Sequence, residues 1–191
     1  ETESIPTILT VLYKYEYFIK RKEMPFSAKN EIKFLLPDFQ NLDNCMRVIY
    51  PDALNILITK YIKRFERDFG ITIVGGKYNI EFVDTFINRE INRDSVAQSF
   101  LYFVLFSSAV LVAERYIEEN GEDFIVLLEE PDAHMYPIVI EEFVDLLKNE
   151  VKKSYIILTT HNEGTVLSMI DNIPANRIKV FGITRNKNGY T

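Results

Sequence analysis

The chain reads FIVLLEEPDAHMYP at residues 124–137, where five apolar residues run directly into two acidic ones. An unbroken apolar run of this length is typical of a strand buried on both faces of a sheet. Glu129 and Glu130 follow where that strand emerges. Adjacent carboxylates repel each other unless a proton or a cation offsets their charge, and Mg²⁺ held beside a nucleotide is one such cation. Taken alone, the pair is equally compatible with a solvated acidic turn.

A second apolar strand is predicted at Tyr155–Leu158, and two threonines and His161 follow it. A helix is predicted from Pro137 to Val151 between the two strands, which is the connection that parallel strands require. Ile178–Ile183 is predicted as a third strand. Continuous apolar strands that alternate with helices indicate a parallel sheet covered on both faces. Because parallel strands end at one edge of the sheet, we expect Glu130 and His161 to lie together there.

The first seventy residues are predicted to be mostly helical, and a hairpin is predicted directly after them. Gly75 and Gly76 separate two β-rich runs, Ile71–Val74 and Tyr78–Val83, which favours an antiparallel pair. Pro51 and Gly70 suit the first turn and the C-terminal cap of the clearest helix. The predicted helices are Thr7–Lys22, Pro51–Phe69, about Ser95 to Glu119, and about Glu163 to Ile170.

Composition indicates a soluble globular protein in a reducing, cytoplasmic setting. The chain has 191 residues, 47% of them apolar and 26% charged, and its one cysteine, Cys45, can form no internal disulfide. Residues 95–113 carry no charge over a length that could cross a bilayer. Five serine and glutamine side chains dilute that run, so we expect a buried core helix and no membrane contact.

The segment LLEEPDAHMYP, residues 127–137, resembles the Walker B strand and following loop of ABC-class ATPases in the RecF, SMC and OLD-like branch of the P-loop NTPases. The resemblance implies ATP and Mg²⁺ as cofactors. It implies that Glu129 holds Mg²⁺ in place of the family's usual aspartate, and that Glu130 polarises the attacking water. Asp132, Ala133 and His134 would form a loop that reaches across a dimer interface to the nucleotide.

Two further segments resemble elements of the same family. His161, after the second strand, resembles the switch histidine that touches the γ-phosphate and helps to place the water. Ser95-Val-Ala-Gln98 resembles the signature Ser-Gly-x-Gln, with Val96 in place of glycine. By that resemblance Ser95 and Gln98 would bind the γ-phosphate of a nucleotide held by the partner subunit. The alternative for Ser95 is a simple N-cap of the long helix.

The phosphate-binding sequence of this class, Gly-x4-Gly-Lys-Ser/Thr, does not occur in the chain. The one Gly-Lys pair, Gly76-Lys77, has Ile71 where the first glycine belongs and Tyr78 where the hydroxyl belongs. The fold class implied is therefore a partial parallel sheet of an ABC-like P-loop NTPase, flanked by helices. Residues 71–191 would be its C-terminal lobe, preceded by a helical insertion at 1–70. The Walker A lobe is expected upstream or on another chain.

The predicted function is ATP hydrolysis by a head-to-tail homodimer in DNA repair, chromosome maintenance or defence. DNA contact, if present, is predicted from a basic stripe on the helix 51–69, formed by Lys60, Lys63, Arg64 and Arg67. Such a stripe is more often simply the solvated face of an amphipathic helix, and Glu66 and Asp68 lie nearby in the sequence. Two other functions compete: a catalytically incomplete scaffold, and a Mg²⁺-dependent nuclease that uses Glu129, Glu130 and Asp132.

Overall fold

The computed structural model describes residues 45–76, 79–121, 125–182, 185–186 and 189–190. These residues form a mixed α/β fold with a three-stranded antiparallel sheet, a two-stranded parallel sheet and a short C-terminal β-pair. The predicted helix Thr7–Lys22 lies outside the described residues. One hydrophobic core contains side chains from Met46 through Met169. The boundary at residue 70 stays a prediction, although residues on both sides of it share this core.

The first described elements form one helical rod that ends at a glycine. A π-helical turn, Cys45–Ile49, precedes α1 (Pro51–Ile56), a π-helical segment (Leu57–Ile62) and α2 (Lys63–Phe69). Gly70 ends the rod in the left-handed conformation, with φ +64°. The predicted helix Pro51–Phe69 is therefore confirmed, with its middle turns wound as π-helix.

The predicted hairpin is confirmed and has a third strand. β1 (Ile71–Gly75) pairs antiparallel with β2 (Ile80–Asp84), and β2 pairs with β3 (Arg89–Ile91). Gly75 lies opposite Ile80, so the two glycines do stand at the turn. The third strand was not predicted because Arg-Glu-Ile is short and mostly polar, which gives no strand pattern.

The long apolar helix α3 (Gln98–Asn120) forms the centre of the core. The Phe65 ring packs against the rings of Phe100 and Phe103, each at 5.0 Å between centroids. By length and composition α3 could cross a membrane, but 67% of its most apolar stretch is buried inside the described structure. Burial of this kind is typical of a core helix, as the sequence predicted.

The predicted start of this helix at Ser95 was wrong by three residues. Ser95 ends a separate 3-10 turn (Arg93–Ser95), and Val96 and Ala97 are extended. Ser95 is therefore not the N-cap of α3, a position that Ala97 occupies without a side-chain hydrogen bond. Val96 is buried where the chain bends.

The two apolar strands pair in parallel, as predicted. β4 (Ile125–Glu129) lies beside β5 (Tyr155–Thr159), with α4 (Pro137–Glu150) between them in sequence and α5 (Glu163–Asn172) after them. The predicted burial of both faces was wrong for the described residues. Val126 and Leu128 face the core, whereas Ile125 and Ile157 on the opposite face are 50% and 56% exposed.

The expected third strand was also wrong, because residues 178–182 form no strand and residue 183 lies outside the described residues. A short pair, β6 (Arg185–Asn186) and β7 (Gly189–Tyr190), follows.

Glu114 of α3 anchors the start of β5. It is buried, and its carboxylate accepts hydrogen bonds from the backbone N–H groups of Lys152, Lys153 and Ser154 and from the Ser154 hydroxyl. A buried carboxylate is tolerated when hydrogen bonds replace its lost hydration. These bonds satisfy the turn that leads into β5 and join the parallel sheet to the central helix.

Candidate functional site

The candidate site lies where β4 and β5 end side by side. Glu129 is in register with Thr159, so both strands finish at the same level. The backbone N–H of Glu130 donates to the carbonyl oxygen of Thr159 at 3.0 Å and lies 3.2 Å from its hydroxyl oxygen. Glu130 itself has φ +44°, a left-handed conformation that non-glycine residues seldom adopt. The ladder therefore ends in a sharp turn that directs the Glu130 side chain out of the sheet.

Glu130 and His161 are in direct contact across the ends of the two strands. Nε2 of His161 lies 2.8 Å from Oε1 of Glu130. The His161 side chain is 90% exposed and the Glu130 side chain 43%, so the pair is open to solvent. The placement expected from the sequence is observed: one residue follows each strand and the two meet at one edge. A carboxylate in contact with an imidazole is an arrangement that can accept or relay a proton from water.

Asp132 faces inward and does not extend from the surface. Its side chain is 4% exposed, and Oδ2 accepts hydrogen bonds of 2.5 Å from the hydroxyls of Thr160 and Thr165. Thr160 Oγ1 also accepts the N–H of Asn162 at 2.9 Å. The expected role of Asp132 toward a nucleotide or a second subunit stays a prediction. Its carboxylate is enclosed by the chain, and only Ala133 and His134 of the described loop residues 132–134 are exposed.

The rest of this loop is fastened to the central helix. The His134 ring packs against the Tyr102 ring at 4.7 Å between centroids. The backbone N–H of Tyr136 donates to Oγ of Ser99 at 2.9 Å, directly before α4 begins. Ser99, Tyr102, Thr160 and Thr165 were not identified as site residues from the sequence. The two successive threonines at the end of β5 were a sequence signal for Thr160. Ser99, Tyr102 and Thr165 have no local sequence signature.

The signature-like residues Ser95 and Gln98 are both exposed. Ser95 lies at the end of its 3-10 turn, and Gln98 is the first residue of α3. Neither side chain has a hydrogen bond or ion pair to Glu130 or His161 within the described structure. Their role toward a partner's nucleotide stays a prediction.

Glu129, at the end of β4, fits a Mg²⁺ ion whose other ligands would be phosphate oxygens and water. The Glu129 carboxylate is exposed and has no hydrogen-bond or ion-pair partner among the described residues. No group of three or more His, Cys, Asp or Glu side chains in the described ranges could hold a metal by itself. Mg²⁺ commonly takes one or two carboxylates together with phosphate oxygens and water, so one free carboxylate matches its needs.

The basic stripe of the helix 51–69 is largely ion-paired within the chain. Lys60 Nζ lies 2.8 Å from Glu150, and Arg64 lies 2.7 Å from Glu142. Arg67 pairs with its neighbour Asp68 at 2.6 Å, a pairing that lowers the pKa of that carboxyl. Binding of a DNA phosphate would have to displace these acidic partners. The geometry therefore favours a solvated helix face over a DNA-binding surface.

No protein-family model and no curated protein matches the chain. Among solved structures, the chain is similar to an SMC head bound to the C-winged helix domain of ScpA. The TM-score is 0.45 at 11% identity, over 68% of this chain and 42% of that one. It is also similar to an SMC ATPase studied for ATP-driven dimerisation and DNA-stimulated activation. There the TM-score is 0.46 at 14% identity, over 75% of this chain and 85% of that one. The chain thus spans less than half of the first of these structures, and similarity at this level assigns no function.

Proposed function

We propose that this chain supplies the water-activating half of an ATPase site, with Glu130 as general base and His161 as its partner. The observation that carries the proposal is the 2.8 Å contact between Nε2 of His161 and Oε1 of Glu130 at the carboxyl ends of β4 and β5. In parallel sheets this edge is where nucleotides and other ligands bind. The resemblance of residues 127–137 and of His161 to the RecF, SMC and OLD-like branch supports the same assignment.

Each residue has a defined task in this proposal. Glu130 accepts a proton from the water that attacks the γ-phosphate, and its carboxylate is exposed enough to reach that water. His161 holds the carboxylate by hydrogen bonding and donates to the phosphate oxygens when protonated. Glu129 would hold Mg²⁺, which when bound neutralises charge on the phosphates. ATP hydrolysis also needs a Gly-x4-Gly-Lys-Ser/Thr loop, which a further segment or a partner chain would provide.

The same proposal includes a head-to-tail arrangement of two copies. In this arrangement, Ser95 and Gln98 of one copy would face a nucleotide bound at Glu130 and His161 of the other. The exposure of Ser95, Gln98 and His161, together with that of Ala133 and His134, supports such a face. A role in DNA repair, maintenance or defence is part of the proposal. DNA binding by the stripe on helix 51–69 is not, because acidic residues already pair with three of its four members.

The test is the substitution Glu130→Gln in the polypeptide or complex that also carries the phosphate-binding loop. We expect loss of phosphate release, on the order of 100-fold or more, with ATP affinity retained, because the amide keeps the shape and loses the base. The ATP-bound dimer should persist longer, as measured by light scattering. Glu119→Gln, an exposed change at the end of α3, is the control.

Two results would separate this proposal from its competitors. Undiminished hydrolysis in Glu130→Gln would contradict the role of Glu130. An absence of ATP binding and hydrolysis in the wild-type assembly would leave the scaffold hypothesis. The nuclease hypothesis is disfavoured by the enclosure of Asp132, whose carboxylate is directed to Thr160 and Thr165 and away from solvent.

A further inference from the structure

Asp132 has a buried carboxylate whose partners both belong to the segment after β5. Its Oδ2 receives hydroxyl hydrogen bonds from Thr160 and from Thr165, which lie 28 and 33 residues further along the chain. Thr160 immediately precedes His161, and Thr165 is the third residue of α5. The partial positive charge of a helix N-terminus favours a carboxylate at this position. The group is therefore satisfied inside the chain.

The bonds join the two loops that carry the candidate pair. Asp132 lies two residues after Glu130, in the turn closed by the hydrogen bond from Ala133 N–H to the Glu130 carbonyl. On the other side, the Thr160 hydroxyl donates to Asp132 and its oxygen accepts the N–H of Asn162, so the backbone on both sides of His161 is held. His161 is itself 90% exposed. Apart from its contact with Glu130, its side chain has no hydrogen-bond or ion-pair partner among the described residues.

We propose that Asp132 is a positioning residue, which holds Glu130 and His161 in contact by tying the loop after β4 to the loop after β5. The geometric claim stands on the contacts alone, and its consequence for turnover rests on the proposed function. The hydroxyls of Thr160 and Thr165 act as the other half of the tie. Removal of either hydroxyl breaks one half of the tie and lets the His161 loop move relative to Glu130.

The test uses the two histidines of the chain as reporters. With histidine labelled by ¹⁵N, the imidazole signals of His134 and His161 are recorded in the wild type, in Thr165→Val and in Glu130→Gln. We expect the His161 signal in Thr165→Val to move toward its position in Glu130→Gln, while the His134 signal stays in place. Thr165→Ser, which restores a hydroxyl, should return the His161 signal to the wild-type position. Thr72→Val, at a buried threonine of β1, controls for general loss of stability.

Thr160→Val is the second variant, in case Thr165→Val does not fold. An unchanged His161 signal in either variant that folds would overturn the positioning role. In the ATP-hydrolysing assembly, Thr165→Val should lower kcat by about tenfold or more, as expected for a misplaced reacting group, with KM for ATP unchanged. A shifted His161 signal in the variant, together with no hydrolysis by the wild type, would support the positioning role and contradict the proposed function. Hydrolysis by the wild type, together with an unshifted His161 signal in the variant, would support the proposed function and contradict the positioning role.

Discussion

Tyr136 and Ser99 join the loop after β4 to the first turn of α3, through a 2.9 Å hydrogen bond from the Tyr136 backbone N–H to the Ser99 hydroxyl oxygen. The bond matters because Pro137 begins α4 directly afterwards, so the bond fixes where that helix starts. Ser99 is buried, with 4% of its surface exposed. The loop that carries Glu130, Asp132 and His134 is thereby attached to the central helix of the core.

Substitution of Ser99 tests this attachment against a matched serine of the same helix. Ser99→Ala leaves the Tyr136 N–H without a partner and should cost about 1–3 kcal/mol of unfolding free energy. Ser107 is also buried, but its hydroxyl has no hydrogen-bond partner among the described residues. Ser107→Ala should therefore change stability by less than about 1 kcal/mol. Urea unfolding measures both. Equal losses in the two variants would mean that the Tyr136 bond contributes nothing.

Gly70 and Gly121 form a second matched pair. Both cap helices in the left-handed conformation, with φ +64° and +68°. A Cβ at Gly121 would meet no atom within 4 Å, whereas one at Gly70 would lie 2.3 Å from the Phe86 ring. Gly121→Ala should cost about 1 kcal/mol from backbone strain alone, and Gly70→Ala about 2 kcal/mol.

The excess cost at Gly70 should disappear when the ring is removed. In a Phe86→Ala background, Gly70→Ala should cost about as much as Gly121→Ala, because the three ring atoms nearest to the added methyl group are then gone. A double-mutant cycle followed by thermal or urea unfolding gives the coupling directly. A coupling indistinguishable from zero would show that the exposed Phe86 ring simply moves aside.

Glu114 is predicted to be the most sensitive charged residue of the described core. Glu114→Ala removes the acceptor for three backbone N–H groups and one hydroxyl near Ser154, and should destabilise the protein by about 3 kcal/mol or more. Glu114→Gln should be milder but still harmful, because its NH₂ group would face donors. Glu119→Ala on the exposed end of α3 is the control, with an expected change within about 0.5 kcal/mol. A loss of similar size in the control would refute the assignment.

The stability of the fold should depend on pH through Glu150, in a direction that its surroundings determine. Burial alone would raise the pKa of Glu150, but hydrogen bonds from Lys60 and Tyr61 outweigh it and hold that pKa below the usual value of 4.5. Burial and the Glu150 carboxylate in turn raise the pKa of the Tyr61 hydroxyl. Because the folded-state pKa of Glu150 is lowered, its contribution to stability is complete above about pH 5 and is lost as the pH falls through the folded value.

The corresponding experiment compares the wild type with Glu150→Gln between about pH 7 and pH 3, a window that brackets the ordinary carboxyl pKa. The wild type should be more stable by about 1 kcal/mol at neutral pH, and the difference should shrink as the solution is acidified. Tyr61→Phe should raise the pKa of Glu150 toward its ordinary value and move this loss to higher pH. A stability difference that grows on acidification would contradict the expected sign.

His161 makes a prediction for turnover that is independent of Glu130→Gln. In the ATP-hydrolysing assembly, His161→Ala should lower kcat by about 100-fold, the usual contribution of a positioned acid–base group. Glu163→Gln, in the same exposed segment, should leave kcat within about twofold of wild type, because its side chain has no assigned contact with the site. Steady-state phosphate release measures both variants. Equal rates for His161→Ala and wild type would remove the imidazole from the proposed mechanism.

The sequence predicted the parallel pair well because its evidence is local. Two unbroken apolar runs with one helix between them leave few topologies other than parallel neighbours, and polar residues after each run then share an edge. That reasoning placed Glu130 and His161 together, and the structure has them 2.8 Å apart. The hairpin at Gly75 was predicted for the same kind of reason, since turn residues between β-rich runs act over a few positions.

The features that the sequence missed depend on partners far along the chain. An apolar run does not reveal which face of a strand is covered by a neighbouring element. The half-exposed positions of Ile125 and Ile157 could therefore not be predicted from the sequence. Asp132 was placed by the family resemblance in a loop that reaches across a dimer interface, and that pattern gives no sign of the hydroxyls 28 and 33 residues away that enclose it. The helix start was misplaced at Ser95, where the uncharged run begins, because the sequence pattern does not reveal that Val96 and Ala97 are extended.

The left-handed backbone of Glu130 has a consequence for any ligand that reaches this edge. A non-glycine residue holds φ +44° only when its surroundings over-determine it, here through hydrogen bonds from its N–H to Thr159 and from the Ala133 N–H to its carbonyl. The backbone that carries the carboxylate is therefore set during folding and not on arrival of a ligand. Little backbone entropy remains to be lost at that moment, so the point from which the carboxylate extends is preorganised.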